Sequence, residues 1–412
     1  MRPPAAALNA VQALQLAEEK LRADEHDLAR RLCEGVLRVE AGNARAHYLL
    51  GVIAFEEDRP DAAVAALERA IAAAPGKPEY YDYLQSVHGA SGDADAASAV
   101  AARADKARDF TRRFGALPEG IQNYQRIVES LRASPYIDYP HEVAIETMAV
   151  CNAACVFCPY PDIARKGDKM PDDMVAKILR DLRDIPAGLP FIISPFKVND
   201  PLLDVRIFDI MEECNATLPN ASLRLFTNGS PLNAKHIARI NRISRLEHLW
   251  ISLNHHDPVQ YEQIMKLPMK RTMQNLDLLH RHKAAGGFAP PVLVSRVGDG
   301  SADDDAFARF VAERFPLFQV AMVARSEWLG QVEGLLAAGK LHPVGCGRWF
   351  ELSITATGQV AFCCMDGKAE YPIGNAADTH VLDIYNNPTY RMYRERFGSR
   401  TEGAPCNACT NF

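Results

Sequence analysis

The stretch Glu142-Val-Ala-Ile-Glu-Thr-Met-Ala-Val-Cys151-Asn-Ala-Ala-Cys155-Val-Phe-Cys158 decides the reading of this chain. A short β-like run, VAIET, passes at once into a loop carrying three cysteines spaced C-x3-C-x2-C. Downstream the same alternation returns: a helix from about Asp172 to Asp184, the run PFIIS, a helix near 204–218, then SLRLFTN. It continues through a helix near 234–243, LEHLWISLN, a helix near 258–285, PVLVSRV, a helix near 302–314 and FQVAMVA. Six strand-like runs alternating with helices predict parallel strands joined by helical crossovers. The fold class is therefore α/β, with residues 139–330 as a partial (β/α)6 barrel. Loops leaving the C-terminal strand ends of such barrels converge on one face, which places the cysteine loop where chemistry is done.

Working outward, residues 1–110 are Ala-rich and helix-favouring. A 34-residue step puts Gly51, Ala63, Leu67, Ala70 and Pro75 at the small and apolar positions of a tetratricopeptide repeat. One step back gives Ala17, Ala29, Cys33 and Val36; one step forward gives Gln85, Gly92, Ala97, Ala101 and Ala104. Residues 10–110 thus resemble tetratricopeptide repeats, an all-α domain whose concave face takes a peptide or protein; a partnerless helical cap is the plainer alternative. Residues 111–138 read as a linker with a short helix, and residues 331–412 as a small module of β-hairpin, helix and cysteines.

The chain has 48% hydrophobic and 24% charged residues, enough apolar material for more than one core. With 46 basic against 52 acidic residues and a formal charge of -6, no global field draws it to nucleic acid or an anionic membrane. The N-terminal AAALNAVQALQLAEEK is interrupted by Asn, Gln and Glu, so neither a signal peptide nor a membrane span is expected. Ten cysteines in short-spaced groups within a long chain fit metal binding in a reducing cytoplasm better than disulfides.

Three thiolates in one loop wrap one face of an iron–sulfur cluster and leave one iron open, whereas a structural zinc wants four protein ligands. Cys151, Cys155 and Cys158, with aromatic Phe157 before the last cysteine, resemble the signature of the radical S-adenosylmethionine superfamily. The resemblance implies a [4Fe–4S] cluster whose open iron chelates S-adenosylmethionine, reductive cleavage to a 5′-deoxyadenosyl radical, and hydrogen abstraction from substrate. It also implies an electron donor such as a flavodoxin or ferredoxin.

Further cofactor contacts follow at later strand ends. Asn199 and Asp200 stand where the family has a Gly-Glu-Pro segment, and an acidic or amide oxygen there suits the cofactor's ammonium group. Thr227-Asn228-Gly229 resembles the family's Thr-Asn-Gly turn. Ser252 and Asn254 are candidates for the ribose hydroxyls, and Ser295 and Arg296 for the carboxylate.

Near the C-terminus stand Cys346, then Gly358 and Cys363, and finally Cys406-Asn-Ala-Cys409. This pattern resembles Twitch, the short form of the SPASM module, and implies a second, auxiliary [4Fe–4S] cluster with four cysteine ligands. A tetrahedral zinc is the alternative. Of the remaining cysteines, Cys33 and Cys214 fall on apolar core stripes. If 358–364 is a strand, Cys364 points away from Cys363, and its thiol is a candidate hydrogen donor to a substrate radical. Arg325, after the sixth strand, is a candidate for gripping a polar substrate. His255-His256-Asp257 is a base or a cap, and Asp366 is open in role.

The expected activity is a radical oxidation, a dehydrogenation, of a polar small molecule or peptide. The alternatives are an epimerase or dehydratase, a peptide-modifying enzyme with the repeats as recognition module, and a non-enzymatic repeat adaptor with structural metal.

Overall fold

The computed structural model describes residues 9–332 and 343–409. Residues 1–8, part of the stretch read for a targeting segment, lie outside the described residues, as do 333–342 and 410–412 of the C-terminal module. The chain divides into two units, Met1–Asn123 and Tyr124–Phe412.

The first unit consists of helical hairpins. Helices α1 (Ala10–Arg22), α3 (Ala44–Glu56) and α5 (Pro78–Ala90) alternate with α2 (His26–Val39), α4 (Pro60–Ala73) and α6 (Ala94–Phe114). Equivalent helices start thirty-four residues apart, at Ala10, Ala44 and Pro78 and at His26, Pro60 and Ala94. The small residues of the repeat explain the packing, because Ala29, Cys33, Ala63, Leu67, Ala70 and Ala104 are all 0% exposed. At Gly51 a Cβ would stand 2.7 Å from Leu67 Cγ and 3.3 Å from the Ala63 carbonyl oxygen, so the α3–α4 approach requires glycine. Helix α6 runs on to Phe114. Helix α7 (Glu119–Arg132) occupies much of the segment read as a linker, and its Gln125 and Val128 are buried in the second unit.

The second unit opens with β1 (Glu142–Ile145), α8 (Asp172–Asp181), β2 (Phe191–Ser194), α9 (Ile207–Thr217), β3 (Ala221–Thr227), α10 (Ala234–Ile240) and β4 (Leu246–Ser252). It continues with α11 (Pro258–Met265), α12 (Met269–Ala284), β5 (Val292–Gly298), α13 (Ala302–Arg314) and β6 (Gln319–Ala324). Then come β7 (Glu351–Ile354), β8 (Gln359–Ala361), β9 (Pro372–Asn375), α14 (Val381–Tyr385) and α15 (Pro388–Glu395).

The sheet order is β6-β5-β4-β3-β2-β1-β7-β8-β9. Strands β1 to β6 are parallel, each beside its sequence neighbour, which is the order of an open barrel rather than of a doubly wound sheet. The described strands of the C-terminal module join the barrel sheet: β7 pairs in parallel with β1, Glu142 opposite Glu351 and Ile145 opposite Ile354, and β8 and β9 extend the sheet antiparallel. Leu223 and Leu225 of β3, Leu249 and Ile251 of β4 and Val292 and Val294 of β5 point into the core shared with the helices. Their neighbours Phe226, Trp250 and Ser295 line the inside of the barrel.

The helix expected over 258–285 is two helices. Lys266 takes a left-handed φ of 55° and Pro268, with no N–H to give, starts a new helix.

Candidate functional site

The cysteine loop is held from two sides. Asp200 donates its backbone N–H to the Val150 carbonyl at 2.9 Å. The N–H groups of Ala154 and Val156 reach the carbonyls of Met265 and Ile264 at 3.2 and 3.0 Å. Those carbonyls are available because α11 stops there and leaves its last C=O groups without helical partners. The break in the expected long helix is therefore part of the site.

Cys151, Cys155 and Cys158 border one cavity of about 280 Å³, together with Phe157, Asn199, Asp200, Ser252, Asn254 and Ser295. Burial pushes the thiols up, Cys151 to about 12 and Cys158 to about 11, so thiolates here need the charge of a bound metal. The carboxyl of Asp200 accepts from Thr227 Oγ1 at 3.0 and 3.1 Å, from the Asn228 N–H at 2.9 Å and from the Leu202 N–H at 3.1 Å. Burial nevertheless pushes it up to about 6. Asn228 Nδ2 in turn donates to Asn152 Oδ1 at 2.8 Å. The Thr-Asn-Gly turn is thus tied both to Asp200 and to the cysteine loop.

Asn199 presents the opposite polarity from the one expected. Its Oδ1 already accepts the Lys197 N–H at 3.0 Å, while its buried Nδ2 has no partner. The amide therefore offers a donor, which suits a carboxylate better than an ammonium. Ser295 Oγ accepts the Trp250 indole N–H at 2.7 Å, leaving its own proton to donate. Asn254, at φ 64°, spends its oxygen on the Val297 N–H and its amide N–H on Met265 Sδ.

Arg296 does not belong to this cavity. Side chains alternate along β5, so with Ser295 and Val297 facing in, Arg296 faces out. There it binds Asp304 at 2.7 Å and the Asn254 carbonyl at 2.8 Å. Arg325 is not among the lining residues either, although Ala324, Ser326 and Trp328 are. His255 and Asp257 form a turn: the Asp257 N–H reaches His255 Nδ1 at 3.0 Å and the Asp257 carboxylate caps α11.

Cys346, Cys363, Cys406 and Cys409 border a second cavity of about 180 Å³. Cys364 does not continue a strand, because β8 ends at Ala361 and the chain bends. Its thiol takes a hydrogen bond from Arg348 and lines neither cavity. Asp366 anchors that bend by accepting from Gln331, Glu370 and Tyr371. Among the described residues no three His, Cys, Asp or Glu side chains gather around a single-ion position, so the cysteines border spaces rather than a point. Lining residues that the sequence reading passed over are Phe196, Lys197, Phe226, Trp250, Arg348 and Met365. The two-residue period that identified β3 and β4 also put Phe226 and Trp250 on the inner face.

Three cysteines and an orphaned buried amide border one cavity of this α/β fold, and four cysteines border another. Residues 145–299 match the radical SAM superfamily, residues 346–410 the iron-sulfur cluster-binding domain SPASM, and residues 20–87 a tetratricopeptide repeat. The chain thus carries a radical S-adenosylmethionine domain, a SPASM-type domain and N-terminal tetratricopeptide repeats, and the first two imply a [4Fe–4S] cluster with S-adenosylmethionine and an auxiliary iron–sulfur cluster. No curated protein matches it. Among solved structures it is similar to Streptococcus suis SuiB bound to precursor peptide SuiA, at 13% identity and TM-score 0.52, over 81% of this chain and 86% of that one. It is also similar to BtrN in complex with AdoMet and 2-DOIA, at 16% identity and TM-score 0.43, over 66% and 93%. These likenesses concern the fold. Among the described residues no helix is long and apolar enough to cross a membrane.

Proposed function

We propose that this enzyme uses S-adenosylmethionine to abstract hydrogen from a polar small molecule or peptide and completes an oxidation, a dehydrogenation. Cys151, Cys155 and Cys158 hold the cluster that binds the cofactor, and Cys346, Cys363, Cys406 and Cys409 hold the auxiliary cluster. When bound, the first supplies a 5′-deoxyadenosyl radical and the second an electron acceptor.

The observation that carries the reading is that Arg348 and Met365 line both cavities. The same two side chains wall the substrate space and the four-cysteine space, so an electron has a short way across. Full cysteine ligation leaves no position for substrate at the second site, which suits electron passage. An epimerase would need a hydrogen donor in the cavity, and Cys364 lines neither space. Phe196, Phe226 and Trp250 make the wall apolar and keep water from a carbon radical. Asn199 Nδ2 and the Ser295 hydroxyl supply donors for a carboxylate or hydroxyl of the cofactor or substrate.

The peptide reading takes the tetratricopeptide repeats as its recognition module. The reading requires a reducing compartment, the cytoplasm, and a flavodoxin or ferredoxin as donor.

The test is anaerobic reconstitution with iron and sulfide, then assay of 5′-deoxyadenosine and product mass with candidate peptides and small polar metabolites. Deoxyadenosine with a product two hydrogens lighter supports the reading, and Cys151→Ala abolishes both. A product of unchanged mass in H2O that gains one deuterium in D2O would mean epimerisation and sink it.

A further inference from the structure

Helix α7 lies outside both iron–sulfur family matches, 145–299 and 346–410. From Tyr124 onward it clasps the loop that carries Cys346. Gln125 Oε1 accepts the Gly345 N–H at 2.8 Å. A Cβ on Gly345 would stand 2.7 Å from Val128 Cγ1, so glycine is what lets the helix approach. Tyr124 Oη accepts the Gly347 N–H at 2.9 Å and lies 3.6 Å from Cys346 Sγ. Because the backbone N–H already uses the phenolic oxygen as an acceptor, the hydroxyl proton is left for the sulfur. At another of the four cysteines, the indole N–H of Trp349 donates to Cys406 Sγ at 3.3 Å. Indole can only donate, and Trp349 is 1% exposed, so the direction of this bond is fixed and water does not replace it.

A cluster gains negative charge on reduction, and part of that charge sits on its cysteine sulfurs. Donors aimed at those sulfurs stabilise the reduced form more than the oxidised one and raise the potential. We infer that Tyr124 and Trp349 are tuning residues, acting through the Cys346 and Cys406 sulfurs, that hold the auxiliary cluster at a potential where it accepts electrons. Helix α7 is then a structural part of the auxiliary site. Arg348 and Arg400 place positive charge near Cys346 as well, and both remain in the variants below. The inference rests on the four-cysteine assignment, and it holds whichever net reaction the enzyme performs.

The experiment is a redox titration of the full-length, reconstituted protein followed by electron paramagnetic resonance, which resolves the two clusters. In Tyr124→Phe and in Trp349→Phe the auxiliary midpoint is expected to move to lower potential while the three-cysteine cluster stays put and iron remains at about eight per chain. An unmoved auxiliary midpoint at full iron in both variants overturns the inference. Should a variant fail to load, wild-type protein reconstituted in H2O and in D2O decides by resonance Raman: shifted Fe–S(Cys) stretches support donors on the sulfurs, and identical spectra overturn them. Iron at about four per chain in the wild type overturns the four-cysteine assignment itself, a distinct failure that leaves the three-cysteine chemistry standing.

Discussion

Thr227 Oγ1 sits 3.0 and 3.1 Å from the two carboxylate oxygens of Asp200, bridging the end of β3 to the loop after β2 beneath the cysteine cavity. Replacing Thr227 with Val keeps the shape and removes the donor. The expected cost is about 1.5–3 kcal/mol of stability, the value of a buried hydrogen bond to a charged group. Equal denaturant midpoints for variant and wild type would show that the bridge contributes nothing.

The same carboxyl makes stability depend on pH. Its folded pKa of about 6 lies above the unfolded ~3.9, so the folded state binds the extra proton. The contribution of Asp200 is therefore most favourable near pH 4, is lost as pH rises to about 6 and is flat above that. Asp200→Asn should flatten this part of the profile, as read by thermal unfolding of the metal-free chain between those limits.

Arg165 holds Glu146 with Nε at 2.5 Å and Nη2 at 3.1 Å; Glu146 is 0% exposed and Arg165 8%. The pair reaches into the C-terminal module, since Glu146 also accepts the Ala356 N–H and Arg165 donates to the Gly367 carbonyl at 2.9 Å. Arg165→Met strands a buried charge and should cost about 3–5 kcal/mol. Adding Glu146→Gln should recover much of that, and a double variant no more stable than the single one counts against the pair as the cause.

Lys266 adopts φ 55° at the break between α11 and α12. Glycine takes that conformation without the Cβ penalty, so Lys266→Gly should raise stability by about 1 kcal/mol. A lower melting temperature would mean that the lysine stem packs usefully at this turn.

Gly51→Ala pits helix propensity, worth about 1 kcal/mol in favour of alanine, against a contact of 2.7 Å with Leu67. The clash should win, leaving the repeats about 1–2 kcal/mol less stable. The companion Leu67→Ala change opens that space, and the double variant should then show no further loss from the new methyl.

Periodicity made most of the fold legible. Six strands and the helices between them follow from two local rhythms, and the 34-residue step located the repeats. Pro268 also carried the signal for the helix break, because proline inside a helical pattern ends it. The two-residue alternation of β5 also carries the place of Arg296: once Ser295 faces the cavity, its neighbour on the strand faces away. Cys364 and Asn199 were harder. Where a bend begins, and which atom of an amide is already engaged, depend on tertiary neighbours that no short window contains. The contact between Tyr124 and Cys346 spans 222 residues of sequence, and only the folded chain brings them together.

The pairing of β7 with β1 bears on how this chain could be taken apart. A version ending before Glu351 would not simply lack an accessory domain. It would leave the strand that leads into the cysteine loop with a bare row of backbone N–H and C=O groups, inviting other chains to add to it. The cluster-bearing tail is therefore not an interchangeable cassette, and any transplant or exchange between relatives has to carry the seam between these two strands with it.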